Sequence, residues 1–213
     1  MIRIVTDSAA DLTARDLETP GVTVVPMGIT FADGTATVDD GSMTKDEFFT
    51  RLAEDSKLPR TSQPSPASFI ELFEEAADAG DEVIVITVAQ KLSGTYQCAS
   101  LAAAETDAKV YIIDSETATQ GEAIIAREAI RLREQGLSAS RIAAELETFK
   151  KRVRVVAIVD SLKHLHKGGR LPAAVAIVGG ALGIKPVLML SEGAIHLVDK
   201  GRGRPGALVA LYR

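Results

Sequence analysis

Five short runs of apolar, mostly β-branched residues set the pattern of this chain. They cover residues 2–6, 22–27, 83–88, 110–113 and 155–159. Each run is almost continuously apolar instead of alternating with polar residues. That pattern is typical of strands buried on both faces of a parallel sheet.

Helical periodicity fills most of the intervals between these runs. Thr44 and Glu47 have the spacing of a capping box ahead of an apolar helix face. Ser65 followed by Pro66 predicts the start of another helix. Further helices are predicted over residues 93–104, 121–134 and 138–151. Strands that alternate with helices indicate an α/β domain over residues 1–155, with a doubly wound and mainly parallel sheet.

The pattern changes after this domain. Residues 171–183 form an apolar stretch rich in Gly and Ala, which predicts a helix. Residues 186–191 and 194–199 read as two strands joined by Glu192-Gly193, which predicts an antiparallel hairpin. Residues 156–213 are therefore expected to be the beginning of a second, α+β domain.

Charge and composition exclude several classes of protein. The net charge is −5 and basic residues are scattered among acidic ones, unlike the basic face of a nucleic-acid binder. Cys98 is the single cysteine and no His or Cys spacing resembles a zinc motif, so no metal site is expected. Met1 leads directly into the first strand, and no apolar run reaches the roughly 20 residues of a membrane span. These features predict a cytoplasmic protein without stable membrane insertion.

Small hydroxyl side chains dominate the loops at the predicted carboxyl ends of the strands, where open α/β sheets bind ligands. Ser93 stands at the N-terminus of a predicted helix, whose unpaired N–H groups favour an anion, and Gly94 allows close approach of a ligand. Hydroxyls at such a site bind a carboxylate or phosphate. The alternative is that Thr61, Ser65 and Ser93 only cap helices and turns.

No convincing catalytic group accompanies these hydroxyls. The chain has neither a nucleotide phosphate-binding loop nor a hydrolase nucleophile elbow. Asp7 and Asp114 would form a carboxylate pair only if their strands were neighbours, and capping or turn formation is the favoured role for both. The absence of a general base favours binding over turnover.

An ordered set of motifs resembles the DegV family along essentially the whole chain. The set comprises Ile4-Val-Thr-Asp-Ser8, Thr61-Ser-Gln-Pro-Ser-Pro66, Leu92-Ser-Gly-Thr-Tyr-Gln97, Ile113-Asp-Ser115, Lys167-Gly-Gly-Arg170, Ile184-Lys-Pro186 and Lys200-Gly-Arg202. The resemblance implies a protein that binds one long-chain fatty acid between two domains and catalyses nothing alone. It needs no cofactor and presents the acid to a separate ATP-dependent kinase of the dihydroxyacetone-kinase type.

The same resemblance implies roles for particular residues. Thr61 and Ser93 would hydrogen-bond the carboxylate, with Ser62 and Gly94 beside it. Arg170 and Arg202 would lie near the mouth of the site and the surface that contacts the kinase. Family chains continue beyond the Lys-x-Arg motif, and a histidine near the carboxylate lies in that continuation, so the second domain is expected to be incomplete here.

Two other functions remain open from the sequence. One is a small-molecule phosphotransferase or hydrolase that uses the strand-end Ser, Thr and Asp loops. It predicts turnover of ATP or a phosphoester without a partner. The other is a purely structural interaction module, for which Thr61 and Ser93 would matter only as caps.

Overall fold

A computed structural model describes residues 1–55, 57–171 and 183–212 of the chain. The strands are β1 (Ile2–Asp7), β2 (Val22–Val25), β3 (Gly28–Thr30), β4 (Ala36–Val38), β5 (Arg60–Ser62), β6 (Glu82–Thr87), β7 (Lys109–Asp114), β8 (Val155–Ile158), β9 (Ile184–Ser191) and β10 (Ala194–Arg202). The helices are α1 (Ala14–Leu17), α2 (Lys45–Glu54), α3 (Pro66–Asp78), α4 (Thr95–Ala104), α5 (Gln120–Glu134), α6 (Ala139–Phe149), α7 (Lys163–Lys167) and α8 (Gly203–Leu211). Two short 3₁₀ turns follow β1 and α6.

A parallel sheet with strand order β2-β1-β6-β7 forms the centre of the first part of the chain. Side chains of alternate residues enter two separate cores. Ile4, Ile84 and Ile86 pack against α5 and α6, whereas Val83 and Val85 pack against α3 and α4. Burial on both faces explains the continuous apolar runs of these strands. The predicted α/β fold class is confirmed.

The fifth apolar run does not belong to the parallel sheet. β8 pairs antiparallel with β9 in a second sheet of order β10-β9-β8. Val156 and Ala157 are exposed on this edge strand, so the expectation of burial on both faces is wrong here. A run of four apolar residues does not reveal whether both of its faces are covered, because burial is decided by residues far away in the sequence.

The hairpin of the second sheet is confirmed. β9 and β10 pair antiparallel, and the turn residues Glu192 and Gly193 both have positive φ angles, of 53° and 75°. This is the backbone conformation that matches the twist of two hairpin strands. α8 packs against one face through Ala207 and Ala210. The helix predicted over 171–183 falls almost entirely on residues 172–182, which lie outside the described residues.

A third, small sheet of order β4-β3-β5 was not predicted. Its strands have three residues each and are largely exposed, so they lack an apolar pattern. α2 follows β4 and begins with the predicted capping box, in which the Glu47 N–H donates to Thr44 Oγ1 at 3.2 Å. This small sheet and α2 stand beside the carboxyl ends of the parallel strands and help to enclose the site described below.

Candidate functional site

A cavity of about 510 Å³ lies among the strand-end loops, the small sheet and α2. Its volume is within the range of small-molecule binding sites. Most of the lining is apolar and includes Met27, Ile29, Val38, Phe48 and Phe49. Sequence reasoning did not identify these residues as lining. Ile29 and Val38 come from the small sheet that it missed, and it predicted α2, which carries Phe48 and Phe49, without placing that helix at a site.

Two hydroxyl side chains from distant motifs line this cavity. Thr61 belongs to β5, and Ser93 follows the loop after β6. Ser62 does not line the cavity. Its side chain lies against Gly28, where β3 and β5 pair, so closely that a side chain at residue 28 would clash with the Ser62 hydroxyl. The structure therefore brings Thr61 and Ser93 to one cavity and places Ser62 beside it.

The capping alternative holds for only one of the three hydroxyls. Ser65 caps α3, since its Oγ accepts a hydrogen bond from the Ser68 N–H at 3.2 Å. Ser93 precedes Gly94, the N-cap of α4, and no side chain caps that helix. The Ser93 and Thr95 hydroxyls are 2.9 Å apart. Ser93 thus lies one residue before its predicted place, next to a helix end whose N–H groups have no side-chain acceptor.

Arg170 reaches the cavity from the second part of the chain. Gly169, with φ of +77°, ends α7 and turns the chain back, and the Arg170 N–H donates to the Leu165 carbonyl at 3.0 Å. A left-handed residue of this kind is commonly glycine. The Arg170 guanidinium then donates through Nε to the Leu92 carbonyl at 3.1 Å, immediately before Ser93. The Gly-Gly-Arg sequence therefore places a positive charge beside the hydroxyl loop.

Arg202 lies elsewhere. It is the exposed last residue of β10, directly before α8, and is not among the residues that line the cavity. The family resemblance implies that Arg170 and Arg202 both lie near the mouth of the site and the surface that contacts the kinase. The structure gives them different surroundings.

Further charges line the cavity near the 3₁₀ turn after β1. Asp11, Asp39 and Lys45 lie there. Burial raises the pKa of Asp11, and the neighbouring Asp39 adds to that effect while Lys45 opposes it. This part of the lining suits an anionic ligand less well than the hydroxyl end.

Asp7 and Asp114 do not form a carboxylate pair, because β6 lies between their strands. Asp7 accepts hydrogen bonds from the Ala9 N–H at 3.0 Å and the Val88 N–H at 2.8 Å. Asp114 accepts one from the Gln90 N–H at 3.2 Å and another from Glu116 at 3.0 Å. Both carboxylates hold strand-end loops, as the capping and turn interpretation predicted.

Glu122, a fully buried residue in the first turn of α5, could not be recognised from any sequence pattern. Neither of its carboxyl oxygens has a hydrogen-bond partner among the described residues. Burial raises the pKa of Glu122 well above its ordinary value, and the nearby Asp7, Asp11 and Asp114 raise it further. Burial and these neighbouring carboxylates therefore favour the protonated, neutral form of Glu122.

Burial also raises the pKa of Asp7, from 3.8 to about 6, against the opposing effect of its two backbone hydrogen bonds. Because the folded protein takes up this proton before the unfolded chain does, the stability that Asp7 contributes rises as the pH falls through about 6 and levels off below 3.8. Between pH 7.5 and pH 5 the gain relative to Asp7→Asn should be about 1 kcal/mol.

Urea unfolding of the wild-type protein and Asp7→Asn at the two pH values measures this difference. Other carboxylates are common to both proteins, and all but Glu122, whose pKa Asp7 raises, are expected to cancel. The prediction is contradicted if the difference in unfolding free energy between the two proteins stays constant with pH. It is also contradicted if the variant gains stability relative to the wild type at pH 5.

Two negative findings concern the described residues only. Within residues 1–55, 57–171 and 183–212, no group of three His, Cys, Asp or Glu side chains is arranged to hold a metal ion. Among the helices in these ranges, none combines the length and the apolar character that crossing a bilayer requires.

Comparisons with known proteins agree with one another. A family model described as "Uncharacterised protein, DegV family" matches residues 1–213. A DegV domain-containing protein of Caldanaerobacter subterraneus subsp. tengcongensis is 36% identical over 208 residues, which are 97% of this chain and 74% of that protein.

Solved structures of similar proteins contain the same fold. A Thermus thermophilus DegV family protein, described for its fatty acid binding, superposes with a TM-score of 0.89 at 36% identity, over 99% of this chain and 75% of its own. The Fatty Acid Kinase (Fak) B3 protein of Streptococcus pneumoniae, loaded with linoleic acid, gives a TM-score of 0.88 at 27% identity, over 100% and 76%. The chain thus spans about three quarters of each of these relatives.

Proposed function

This chain belongs to the DegV family, and from that premise we propose that it is a carrier that binds one long-chain fatty acid. The observation that carries the proposal is the meeting of Thr61 and Ser93, from motifs about thirty residues apart, in one mainly apolar cavity. Relatives with the same fold bind fatty acids. The bound acid is the ligand, and no cofactor is needed.

Hydroxyls and a helix N-terminus suit the head of such a ligand. Each hydroxyl donates one hydrogen bond to a carboxylate oxygen, and the unpaired N–H groups of α4 add a favourable dipole. Ser62 and Gly94 stand beside this point, Ser62 supporting β5 and Gly94 opening the helix. The nearby Arg170 guanidinium donates to the Leu92 and Gly168 carbonyls. A tight ion pair between it and the carboxylate is not part of the proposal, because strong stabilisation of the unreacted anion would raise the barrier to phosphorylation.

The apolar lining suits the tail. Burying a CH₂ group is worth about 0.8 kcal/mol, so an acyl chain of about 16 carbons gains much by leaving water. Met27, Ile29, Phe48 and Phe49 provide the apolar surface. The carboxylate end then determines orientation, and the tail supplies most of the affinity.

Equilibrium binding of hexadecanoate and hexadecan-1-ol tests this proposal. The two ligands share their hydrocarbon chain and differ in the head group, so the ratio of their dissociation constants isolates carboxylate recognition. We expect the acid to bind at least tenfold more tightly at pH 8, where it is ionised. Equal affinity for the two ligands, or binding of neither, would remove the carrier assignment.

We propose further that a separate ATP-dependent kinase of the dihydroxyacetone-kinase type phosphorylates the bound acid in the cytoplasm. The similarity to a fatty acid kinase B3 protein supports this partner class. Arg170, which donates to the Leu92 carbonyl beside Ser93, would lie at the mouth of the site. Arg202, exposed at the end of β10, would contact the kinase.

If the cavity binds the ligand and Arg202 contacts the kinase, replacing Arg202 should change acyl phosphate formation without changing ligand affinity. Because Arg202 lies outside the cavity lining, Arg202→Ala should leave hexadecanoate affinity unchanged. It should lower acyl phosphate formation with a bacterial fatty acid kinase by about tenfold, the effect expected for an interface arginine. Arg15→Ala, at an exposed position of α1, serves as the control. Equal phosphate formation by both variants would exclude Arg202 from the contact.

We also propose that residues 1–155 and 156–213 fold as parts of two domains. The parallel sheet ends with β7, and β8 begins the antiparallel sheet. Contacts cross between the parts: Lys91 Nζ donates to the Glu192 carbonyl and the Gly193 N–H to the Glu116 carbonyl, both at 2.8 Å. Arg170, which lines the cavity, donates across the same junction to the Leu92 carbonyl. A ligand bound among the strand-end loops would therefore lie near the junction.

A further inference from the structure

The Gln63 side chain makes an unusually close contact with the hydroxyl loop. It lies directly over Gly94, where an added side-chain carbon would be 2.9 Å from Gln63 Oε1 and 3.0 Å from both Cδ and Nε2. The Gln63 Nε2 also donates to Cys98 Sγ at 3.4 Å, one turn further along α4. A single side chain thus joins the segment that carries Thr61 to the start of the helix that follows Ser93.

Thr61 has few other constraints on its position. β5 has three residues, all of them exposed, and within the described part of the chain it is an edge strand that pairs with β3 alone. The small sheet that contains it is separate from the parallel sheet whose loop carries Ser93. The distance between the two hydroxyls is therefore not fixed by any strand pairing between them. Gln63, two residues after Thr61 and in contact with the residue after Ser93, bridges this gap.

We propose that Gln63 is a positioning residue that sets the spacing of Thr61 and Ser93 for the two oxygens of one carboxylate. The inference rests on the fatty-acid-carrier function proposed above. Gln63 is not among the residues that line the cavity, so it acts through the two hydroxyls and not by contact with the ligand. Hydrogen-bond strength falls steeply with poor geometry, so a shift in spacing lowers affinity for the carboxylate without altering the apolar cavity.

Gly94 has a defined purpose in this arrangement. All three atoms nearest to its missing side chain belong to the Gln63 amide group. Gly94→Ala must therefore push the amide aside, which a flexible side chain allows at little cost in stability. The substitution displaces Gln63 without changing it. If Gln63 is already truncated to Ala, the obstacle is absent and Gly94→Ala should have no additional effect.

The test measures the ratio of dissociation constants for hexadecan-1-ol and hexadecanoate at pH 8 in four proteins: wild type, Gln63→Ala, Gly94→Ala and the double variant. We expect each single substitution to reduce the preference for the acid about tenfold, equivalent to about 1.4 kcal/mol. The double variant should lose no more than Gln63→Ala alone. Affinity for the alcohol should stay within twofold throughout. Gln97→Ala, at an exposed position on α4, is the matched control and should keep the wild-type ratio.

The outcomes distinguish a failure of the positioning role of Gln63 from a failure of the proposed fatty-acid-carrier function. A wild-type protein without preference for the acid overturns both. A wild-type preference that Gln63→Ala retains in full overturns the positioning role alone. Equal losses of acid and alcohol affinity in Gln63→Ala would mean that the side chain merely supports the fold, which also overturns it. Additive losses in the double variant would show that Gly94 acts independently of Gln63.

Discussion

Replacing Thr61 and Ser93 together by alanine is expected to lower the affinity for hexadecanoate by about a hundredfold or more and to leave the affinity for hexadecan-1-ol nearly unchanged. Each hydroxyl is proposed to donate a hydrogen bond to an ionised oxygen, and such bonds contribute about 1.5–3 kcal/mol each. Both side chains line the cavity, and neither caps a helix. Loss of the two hydroxyls should therefore weaken binding of the ligand carboxylate more than it lowers the stability of the protein.

Ser65→Ala is the matched control, because Ser65 lies in the same motif as Thr61 and caps α3. It should lower the unfolding free energy by about 1 kcal/mol, the usual value of an N-cap, and leave the preference for the acid intact. The prediction fails if Thr61→Ala/Ser93→Ala binds hexadecanoate as the wild type does. Such a result would favour a structural interaction module, for which these hydroxyls have no ligand to bind.

Gly201→Ala is expected to destabilise the packing of α8 on the hairpin by about 3 kcal/mol, the upper range for overpacked sites. A side chain at residue 201 would overlap the backbone of Gly206 and Ala207, at the start of α8. Backbone atoms of a helix cannot move aside as a flexible side chain does, so the helix itself must shift. Amide hydrogen exchange of residues 203–211 should accelerate about a hundredfold, in proportion to the lost local stability.

Gly206, which lies on the other side of the contact with Gly201, provides the control. A side chain at Gly206 would be 3.5 Å or more from its nearest neighbours, an ordinary contact distance. Because Ala is a better helix former than Gly, Gly206→Ala should be neutral or stabilise α8 by up to about 1 kcal/mol. Similar exchange rates in the two variants would contradict the close packing at Gly201. The Gly of the Lys200-Gly-Arg202 motif would then need another explanation.

Strong local signals in the sequence predicted most of the parallel domain correctly. Continuous apolar runs marked the four strands of the parallel sheet, and capping residues marked the starts of α2 and α3. The run over 155–159 misled because its composition is the same as that of a buried strand. Only its partner β9, about thirty residues away, determines that it is an edge strand of another sheet.

The lining of the candidate cavity was predicted in part. Thr61, Ser93 and Arg170 were recognised through family motifs and do line one cavity. The apolar lining was not predicted. Ile29 and Val38 come from three-residue strands that carry no periodic pattern, and the sequence of α2 does not show which residues its face with Phe48 and Phe49 will meet. Gln63 lies within one of these motifs, but its sequence position alone indicates no role in binding. Its contact with Gly94 depends on two loops that meet only in the folded protein.

Several motif residues have structural roles that are independent of a ligand. Asp7 accepts hydrogen bonds from the Ala9 and Val88 N–H groups, and Ser8 Oγ accepts one from the Met27 N–H at 3.2 Å. Through these bonds the end of β1 fixes the loop after β6 and the segment that leads into β3. The first motif thus holds in place parts of the chain that line the cavity.

The measurement that tests the central claim most directly is the identification of lipid in the purified protein. The protein is denatured and extracted with organic solvent, and the released lipid is identified and quantified by mass spectrometry, with Thr61→Ala/Ser93→Ala prepared in parallel. The carrier function predicts a long-chain fatty acid in near-stoichiometric amount from the wild type and a strongly reduced amount from the variant. A folded wild-type protein that yields no fatty acid, and that remains empty after incubation with hexadecanoate, would contradict it.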